Sequence, residues 1–240
     1  CPAEVQCEAG CINDRYSFPV PIRRLQRWVS RKAVEAGWAA EPRPSVPPTG
    51  KRVAVMGAGP AGISAAARLA SFGHAVVLYD RAPVPGGTAQ KVIPRDRLPD
   101  DILSREIQDV LASHGASIRH QHAALDATFN LDRVMAEGFD AVLLAVGLGQ
   151  SVPLPGSSRP RQGVIGALEF LAQMKKAPAC SGFVLVLGGG NTAMDAALTA
   201  HRAGAEDVAI VYRRSFAEMP AWPEERDRAL TEGVHFLTLT

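Results

Sequence analysis

The sequence contains no apolar run long enough to cross a membrane, since its longest runs, Ala141–Val146 and Phe183–Leu187, have the length of strands. It also lacks a signal peptide, from which we expect a cytoplasmic protein. Its net charge is only +2 and no basic run exceeds a few residues, which argues against nucleic acid as a partner. With 240 residues, 47% of them hydrophobic, the chain has room for one large domain or two modest ones.

Cysteine is scarce and unevenly placed. Cys1, Cys7 and Cys11 form a C-x5-C-x3-C array, while Cys180 stands alone. A secreted disulfide scaffold spreads its cysteines through the chain, so disulfide pairing is the weaker interpretation. Clustered thiolates are typical of iron–sulfur centres, which take four ligands. A zinc site and inert or oxidised thiols remain open. The sequence has no C-x2-C pair, which argues against a disulfide reductase.

A helix is predicted after the cysteines, from Ile22 to Ala36, because apolar residues recur on one of its faces and arginines on the other. Gln26 lies at the edge of the apolar face. The following stretch, Glu41–Gly50, is rich in proline and can be neither helix nor central strand. It marks the first predicted domain boundary.

A dinucleotide-binding fingerprint follows the boundary. Arg52–Met56 reads as a buried strand, and the next residues form a G-x-G-x-x-G loop that opens an alanine-rich helix. Gly57 makes the tight turn, Gly59 lets a pyrophosphate approach the backbone, and Gly62 lets the helix pack on the strand. A second strand ends at Asp80, which can accept hydrogen bonds from ribose hydroxyls. The helix N-terminus would face the phosphates.

The pattern then recurs. Phe183–Leu187 is predicted to be a strand, Gly188–Ala193 a loop that opens a helix, and Val208–Tyr212 a second strand. No acid ends this strand; Arg213 and Arg214 stand there instead. Guanidinium groups can pair with a 2′-phosphate, so this unit favours NADPH over NADH.

Two such units in one chain indicate one tightly bound flavin and one diffusible nicotinamide. Asp140–Gly147 is predicted to be a strand that closes the first unit, and Ser151–Gly156 the crossover into the second. Because hydride passes from nicotinamide to flavin by direct contact, the protein supplies orientation, and no catalytic residue is predicted.

Short motifs occur in a fixed order along the chain. They are Cys1-Pro with Cys7-Glu and Cys11, Leu25-Gln26, Gly57–Gly62, Gly86-Gly87, Ile93-Pro94, Arg97-Leu98-Pro99, Gly188–Asp195 and Tyr212-Arg213-Arg214. In this combination the chain resembles the glutamate synthase small (β) subunit family, which includes the N-terminal part of dihydropyrimidine dehydrogenases and related ferredoxin–NADP oxidoreductases. The resemblance covers essentially the whole chain, and the combination is specific although each piece alone is not.

The resemblance implies an α/β chain with two Rossmann-like dinucleotide-binding units preceded by a short helical iron–sulfur segment. Residues 1–49 would form that segment and the proline-rich linker, residues 50–150 the FAD-binding domain, and residues 151–240 the NAD(P)H-binding domain. The implied activity is that of a flavin-dependent oxidoreductase that passes electrons from NADPH through FAD to 4Fe–4S clusters and a catalytic partner subunit or domain.

The resemblance also implies the site residues. Those expected at FAD are Gly57, Gly59, Pro60, Ala61, Gly62, Asp80, Arg81, Gly86, Gly87, Arg97, Val146 and Gly147. Those expected at NADPH are Gly188, Gly190, Asn191, Thr192, Ala193, Arg213 and Arg214. Those expected at the clusters are Cys1, Cys7, Cys11 and Gln26.

The chain departs from the family pattern at both ends. Family members carry a further cysteine-rich stretch upstream, which completes two four-iron clusters, and a C-terminal segment that returns to the FAD unit. Neither is present here, so we expect the chain to be a piece of a longer polypeptide. Asn191 stands where an aspartate is commoner, and Val92 where glutamate synthase subunits prefer glycine.

The branch within the family stays open. Gln26 matches a position where dihydropyrimidine dehydrogenases use a glutamine ligand, and the Gly147-Leu-Gly149 turn also resembles that branch. Met219-Pro220 and Gly233-Val234 resemble glutamate synthase subunits instead. The electron-input part of a dihydropyrimidine dehydrogenase is therefore one alternative function, and a non-catalytic flavoprotein scaffold is another.

Overall fold

The structure is a computed structural model, and it describes residues 6–38, 46–113, 118–123, 125–127, 129–152 and 162–240. The chain forms two compact units, Cys1–Pro42 and Arg43–Thr240. The division falls inside the proline-rich stretch Glu41–Gly50. No helix within the described ranges is long and apolar enough to cross a membrane.

The first unit contains a 3₁₀-helix, Ile12–Arg15, and one α-helix, α1, Ile22–Glu35. The predicted helix is confirmed and ends one residue earlier than expected. None of its residues is buried, and Leu25 on its apolar face stays 49% exposed. Gln26 is exposed as well.

The second unit begins with a four-stranded parallel sheet in the order β3-β2-β1-β4. Its elements are β1 Arg52–Met56, α2 Pro60–Ser71, β2 Ala75–Asp80, α3 Gly87–Lys91, α4 Asp100–Ala112, β3 Ile118–His122, α5 Leu131–Ala136 and β4 Ala141–Leu144. Residues Val53 to Met56 of β1 are buried, as expected for a parallel strand covered on both faces.

A three-stranded parallel sheet follows in the order β5-β6-β7. Its elements are α6 Ala167–Lys176, β5 Phe183–Leu187, α7 Asn191–Arg202, β6 Asp207–Tyr212, a 3₁₀-helix Phe216–Glu218, α8 Pro223–Thr231 and β7 His235–Thr238. We call residues 46–152, around the first sheet, the first lobe and residues 162–240 the second lobe.

The strand order of the first sheet locates a binding edge. The chain runs from β1 outwards to β2 and β3 and then places β4 on the opposite side of β1. In open parallel sheets, ligands bind outside the carboxyl ends of the strands at such a switch point. The loop that follows β1 lies there, and it is the first glycine loop of the sequence.

Candidate functional site

The first glycine loop is closed against the end of β4. Gly57 has a φ of +110°, and a Cβ at this position would lie 2.3 Å from the carbonyl oxygen of Ala145. A Cβ on Gly62 would lie 1.8 Å from the carbonyl oxygen of Gly57. Both positions therefore require glycine, for the turn and for the packing of α2, as the fingerprint predicts.

Helix α2 begins at this loop. The N-cap residue is Gly59, so no side chain caps the helix. Pro60 is the first helical residue, and Ala61 and Gly62 follow it in the first turn. Gly59 has an extended backbone, φ −77° and ψ −178°, which any residue adopts. A helix N-terminus without a side-chain cap leaves N–H groups that suit a phosphate.

The diglycine Gly86-Gly87 packs on the same loop. The N–H of Gly86 donates to the carbonyl oxygen of Ala58 at 2.7 Å. A Cβ on Gly87 would lie 2.7 Å from the Cα of Gly59, and Gly87 has a φ of +56°. The structure thus brings the diglycine Gly86-Gly87 against Ala58 and Gly59 of the first loop, although these segments lie far apart in the sequence.

Asp80 braces the loop from the end of β2. Its carboxylate accepts the backbone N–H of Ala58 at 2.6 Å through Oδ2 and that of Ala82 at 2.7 Å through Oδ1. Each carboxylate oxygen has a further lone pair, so capacity for ribose hydroxyls remains. The contact with ribose stays a prediction.

Arg81 reaches across the binding edge. One terminal nitrogen of its guanidinium lies 3.1 Å from the place that a Cβ on Gly149 would take. Arg81 follows β2 and Gly149 follows β4, and these strands flank β1. The cation therefore extends from the end of β2 to the segment that follows β4, which also contains Gly147 and Val146, the latter 65% exposed.

The sequence reasoning missed His122, which lies opposite Asp80 in the register of β2 and β3. Its Nε2 lies 2.8 Å from the carbonyl oxygen of Arg81 and must be the donor, since a carbonyl only accepts. On the same strand, burial lowers the pKa of His120 against the opposing effect of the Asp80 carboxylate. The sequence signal for this residue is its place at the end of β3, where a polar side chain lies at the carboxyl edge of the sheet.

The second glycine loop has the same construction. Gly188 has a φ of +141°, and its N–H donates to the carbonyl oxygen of Val211 at 3.0 Å. A Cβ on Gly189 would lie 2.7 Å from the ring of Tyr212. Gly190 is the N-cap residue of α7 and makes no side-chain cap. Asn191, Thr192 and Ala193, predicted as the last residues of the loop, form the first turn of α7.

The segment that follows β6 is tied to this loop. The N–H of Ala221 donates to the carbonyl oxygen of Gly189 at 2.9 Å, and the N–H of Trp222 donates to Oδ1 of Asn191 at 2.9 Å. Asn191, predicted as a cofactor ligand, thus orders the backbone around the site. Its contact with NADPH stays a prediction.

Arg213 and Arg214 follow the end of β6, and both are exposed. Next to them Ser215 and Glu218 form a capping box, with Glu218 Oε2 accepting the Ser215 hydroxyl at 2.8 Å and its N–H at 3.1 Å. These bonds lower the pKa of Glu218, and the charge of Arg214 acts on the same carboxylate and contributes to the lowering.

Comparison with known proteins identifies the family. The sequence profile of the pyridine nucleotide-disulphide oxidoreductases matches residues 51–240. The chain belongs to this family. The match spans both glycine loops, and it confirms the predicted oxidoreductase class.

Two curated relatives support the finer resemblance. The NADPH glutamate synthase small chain of Escherichia coli is 34% identical over 252 residues, covering 98% of this chain and 52% of that protein. The NADP(+)-dependent formate dehydrogenase subunit beta of Moorella thermoacetica is 36% identical over 258 residues, covering 96% of this chain and 36% of that protein. The chain thus spans about half or less of these relatives' length, and the predicted resemblance to the glutamate synthase small subunit is confirmed.

Solved structures agree on the fold. Thioredoxin reductase of Lactococcus lactis superposes with a TM-score of 0.55 at 21% identity, covering 79% of this chain and 64% of that one. At this identity the likeness shows the fold alone. It confirms the α/β class with two Rossmann-like units; the predicted iron–sulfur segment is outside what it tests.

Arg97 occupies an unexpected place in this pyridine nucleotide-disulphide oxidoreductase. Its two terminal nitrogens lie 2.5 Å from Asp195 Oδ1 and 2.5 Å from Glu225 Oε1, both in the second lobe. The resemblance implies a contact with FAD, and the structure instead engages the guanidinium in two ion pairs. The contact with FAD stays a prediction.

The predicted cluster ligands are only partly described. Cys1 lies outside the described residues, Cys7 is exposed, and Cys11 Sγ accepts the N–H of Val20 at 3.4 Å. Among the residues that the structure describes, no group of three histidine, cysteine or acidic side chains could hold a metal. These residues alone do not fit a four-iron cluster, which needs four ligands.

Proposed function

We propose that the first glycine loop binds FAD, that the second binds NADPH, and that the chain brings the two together for hydride transfer. The supporting observation is the pair of uncapped helix N-termini, at Gly59 and Gly190, each following a parallel strand. A loop of this kind offers unpaired N–H groups and the positive end of the helix dipole to a diphosphate.

The residues of the first lobe fit FAD. Glycines at Gly57, Gly62 and Gly87 keep side chains out of the space over the loop, and the Arg81 guanidinium supplies a cation beside it. Asp80 and His122 line the side on which the adenosine half would lie. When bound, the flavin supplies a two-electron acceptor that can release electrons singly.

The residues of the second lobe fit NADPH rather than NADH. Arg213 and Arg214 are exposed at the end of β6, the position of the ribose-binding acid in NAD-specific units. Each guanidinium can form charge-assisted hydrogen bonds to a 2′-phosphate. Both relatives named above carry NADP or NADPH in their names, which agrees with this assignment.

The electron acceptor would belong to a partner subunit or domain. The relatives are named as a small chain and a subunit beta, and this chain covers only part of each. The finer proposal, that 4Fe–4S clusters lie between flavin and acceptor, depends on the Cys1, Cys7 and Cys11 array and on ligands from elsewhere in the longer protein.

A bound-flavin spectrum tests the central proposal. The full-length protein should purify with an FAD absorption band that NADPH bleaches under anaerobic conditions, and NADH should bleach it far more slowly. A protein that keeps FAD but is not reduced by either nucleotide would instead be the non-catalytic scaffold. A protein without FAD would rule out the first assignment.

A further inference from the structure

The segment of the first lobe that follows α3 packs against the second lobe. Val92 packs with Leu171 of α6 and Ala196 of α7 in a small buried cluster. Four residues on, Asp96 accepts hydrogen bonds from Arg202 at 2.6 Å and Arg228 at 2.8 Å. Residues 92–97 of the first lobe therefore contact three helices of the second.

Arg97 forms two largely buried ion pairs across this junction, which Lys175 of α6 also spans through its ion pair with Asp100. The Arg97 side chain is 23% exposed, and those of its partners Asp195 and Glu225 are 16% and 10% exposed. Burial raises the pKa of both carboxyl groups, while the guanidinium opposes that rise. Loss of the arginine would leave two largely buried acids without their counter-ion, which is costly.

Both ends of this contact lead to a glycine loop. On the first-lobe side, α3 begins at Gly87, whose backbone lies against the first loop. On the second-lobe side, Asp195 belongs to α7, which the second loop opens. Glu225 belongs to α8, and the residue before that helix, Trp222, is hydrogen-bonded to Asn191 of the second loop.

We propose that Arg97 is a positioning residue that fixes the second glycine loop relative to the first, so that a nicotinamide held by one meets a flavin held by the other. This inference depends on the proposed function. Hydride transfer needs reacting atoms about 3–3.5 Å apart, and a misplacement of about 1 Å can cost about 100-fold in rate. A two-carboxylate clamp on one rigid guanidinium fixes both distance and angle between the lobes.

Stopped-flow reduction of the FAD-loaded full-length protein by NADPH tests the proposal, because it separates the limiting rate from the Kd for NADPH. In Arg97→Met the limiting rate, measured per bound FAD, should fall roughly 10–100-fold, while the Kd for NADPH changes little. Arg97→Lys can keep one ion pair and should recover part of the rate. Arg105→Met is the matched control, since Arg105 is an exposed arginine on α4 of the first lobe and its loss should leave the rate unchanged.

An unchanged limiting rate in Arg97→Met would overturn the proposal, whether or not the affinity for NADPH falls. If Arg97→Met does not fold, Asp195→Asn and Glu225→Gln each remove one ion pair, and unchanged limiting rates in both would refute it equally. Failure of the wild-type flavin to be reduced by NADPH would refute the proposed function and this role together, whereas normal wild-type reduction isolates the role of Arg97.

Discussion

The carboxylate of Asp80 accepts the backbone N–H of Ala58 at 2.6 Å, so the acid that ends β2 braces the glycine loop that follows β1. The same carboxylate also accepts the N–H of Ala82. An acid at this position thus has a task in the loop itself, before any ribose is bound. Under the proposed FAD assignment, loop order and nucleotide binding would depend on this one side chain.

Replacing this acid tests the coupling. Asp80→Asn leaves one oxygen to serve two backbone donors, because the amide nitrogen cannot accept. We expect a loss of about 1–3 kcal/mol in the free energy of unfolding, the cost of an unsatisfied buried donor, together with weaker FAD retention. Thermal unfolding and the flavin-to-protein ratio measure the two effects. Unchanged stability would show that the two hydrogen bonds do not brace the loop.

Gly59 offers a cleaner test of the flavin assignment than its neighbours do. Its backbone is extended, and a Cβ would meet nothing closer than the Cα of Gly87 at 3.8 Å. Gly59→Val should therefore fold, yet purify without yellow colour, because the side chain occupies the space that the pyrophosphate needs. The absorbance of the purified protein measures this outcome.

Two companion variants make the result interpretable. Gly59→Ala adds a smaller group and should retain part of the flavin, whereas Gly57→Ala should destabilise the fold, since its Cβ would meet the Ala145 carbonyl oxygen at 2.3 Å. Stoichiometric FAD in Gly59→Val would show that this loop does not hold the flavin.

The local parts of the site can be predicted from the sequence. Strand, glycine loop and helix are consecutive in both units, so the tight turn at Gly57 and the uncapped starts of both helices follow from one motif and its spacing. Strands β1, β2, β4, β5 and β6 were also predicted, although Asp140–Gly147 proves shorter, Ala141–Leu144, and β3 was not predicted. Hydrophobic runs locate a strand better than they locate its ends.

The contacts between distant residues cannot be predicted in this way. Arg97 binds acids of the second lobe, and Asn191 binds the backbone of Trp222, because of how the lobes and loops pack. A polar side chain carries no periodic signal of its partner. The family resemblance predicts that Arg97 contacts FAD and that Asn191 contacts NADPH. Their protein partners become visible only in the three-dimensional structure.

The nucleotide preference of the second lobe is testable through its two exposed arginines. Changing Arg213 and Arg214 together to alanine in the full-length protein should weaken NADPH use roughly 10–100-fold, as the loss of charge-assisted phosphate contacts would. NADH use should barely change. Steady-state kinetics with both nucleotides measure the ratio, and Arg119→Ala, an exposed arginine on β3, is the control. Equal losses for both nucleotides would contradict the assignment.

Tyr79 gives a prediction on alkaline stability. Burial, followed by the hydrogen bond from its hydroxyl to Glu137 Oε2 at 3.0 Å, raises its pKa to about 12 from the model-compound value of 10.0. Because the folded state holds this proton more tightly, the stabilisation is complete below about pH 10 and is lost as pH rises through about 12. Tyr79→Phe should flatten this part of the stability profile, measured by urea unfolding at a series of pH values. An identical slope in the variant would refute the assignment.

The cysteine array is the remaining test, and it separates the first unit from the two lobes. In the anaerobically prepared full-length protein, Cys7→Ala should lower the iron and sulfide content, because Cys7 belongs to the proposed ligand set with Cys1 and Cys11. NADPH reduction of the flavin should stay nearly intact, since both glycine loops lie in the separate compact unit Arg43–Thr240. Cys180→Ala is the matched control and should leave iron unchanged, because Cys180 packs against the core of the second lobe. Iron and sulfide analysis combined with stopped-flow flavin bleaching measures both effects, and a wild type without iron, or a Cys7 variant that loses flavin reduction, would contradict the proposed cluster site.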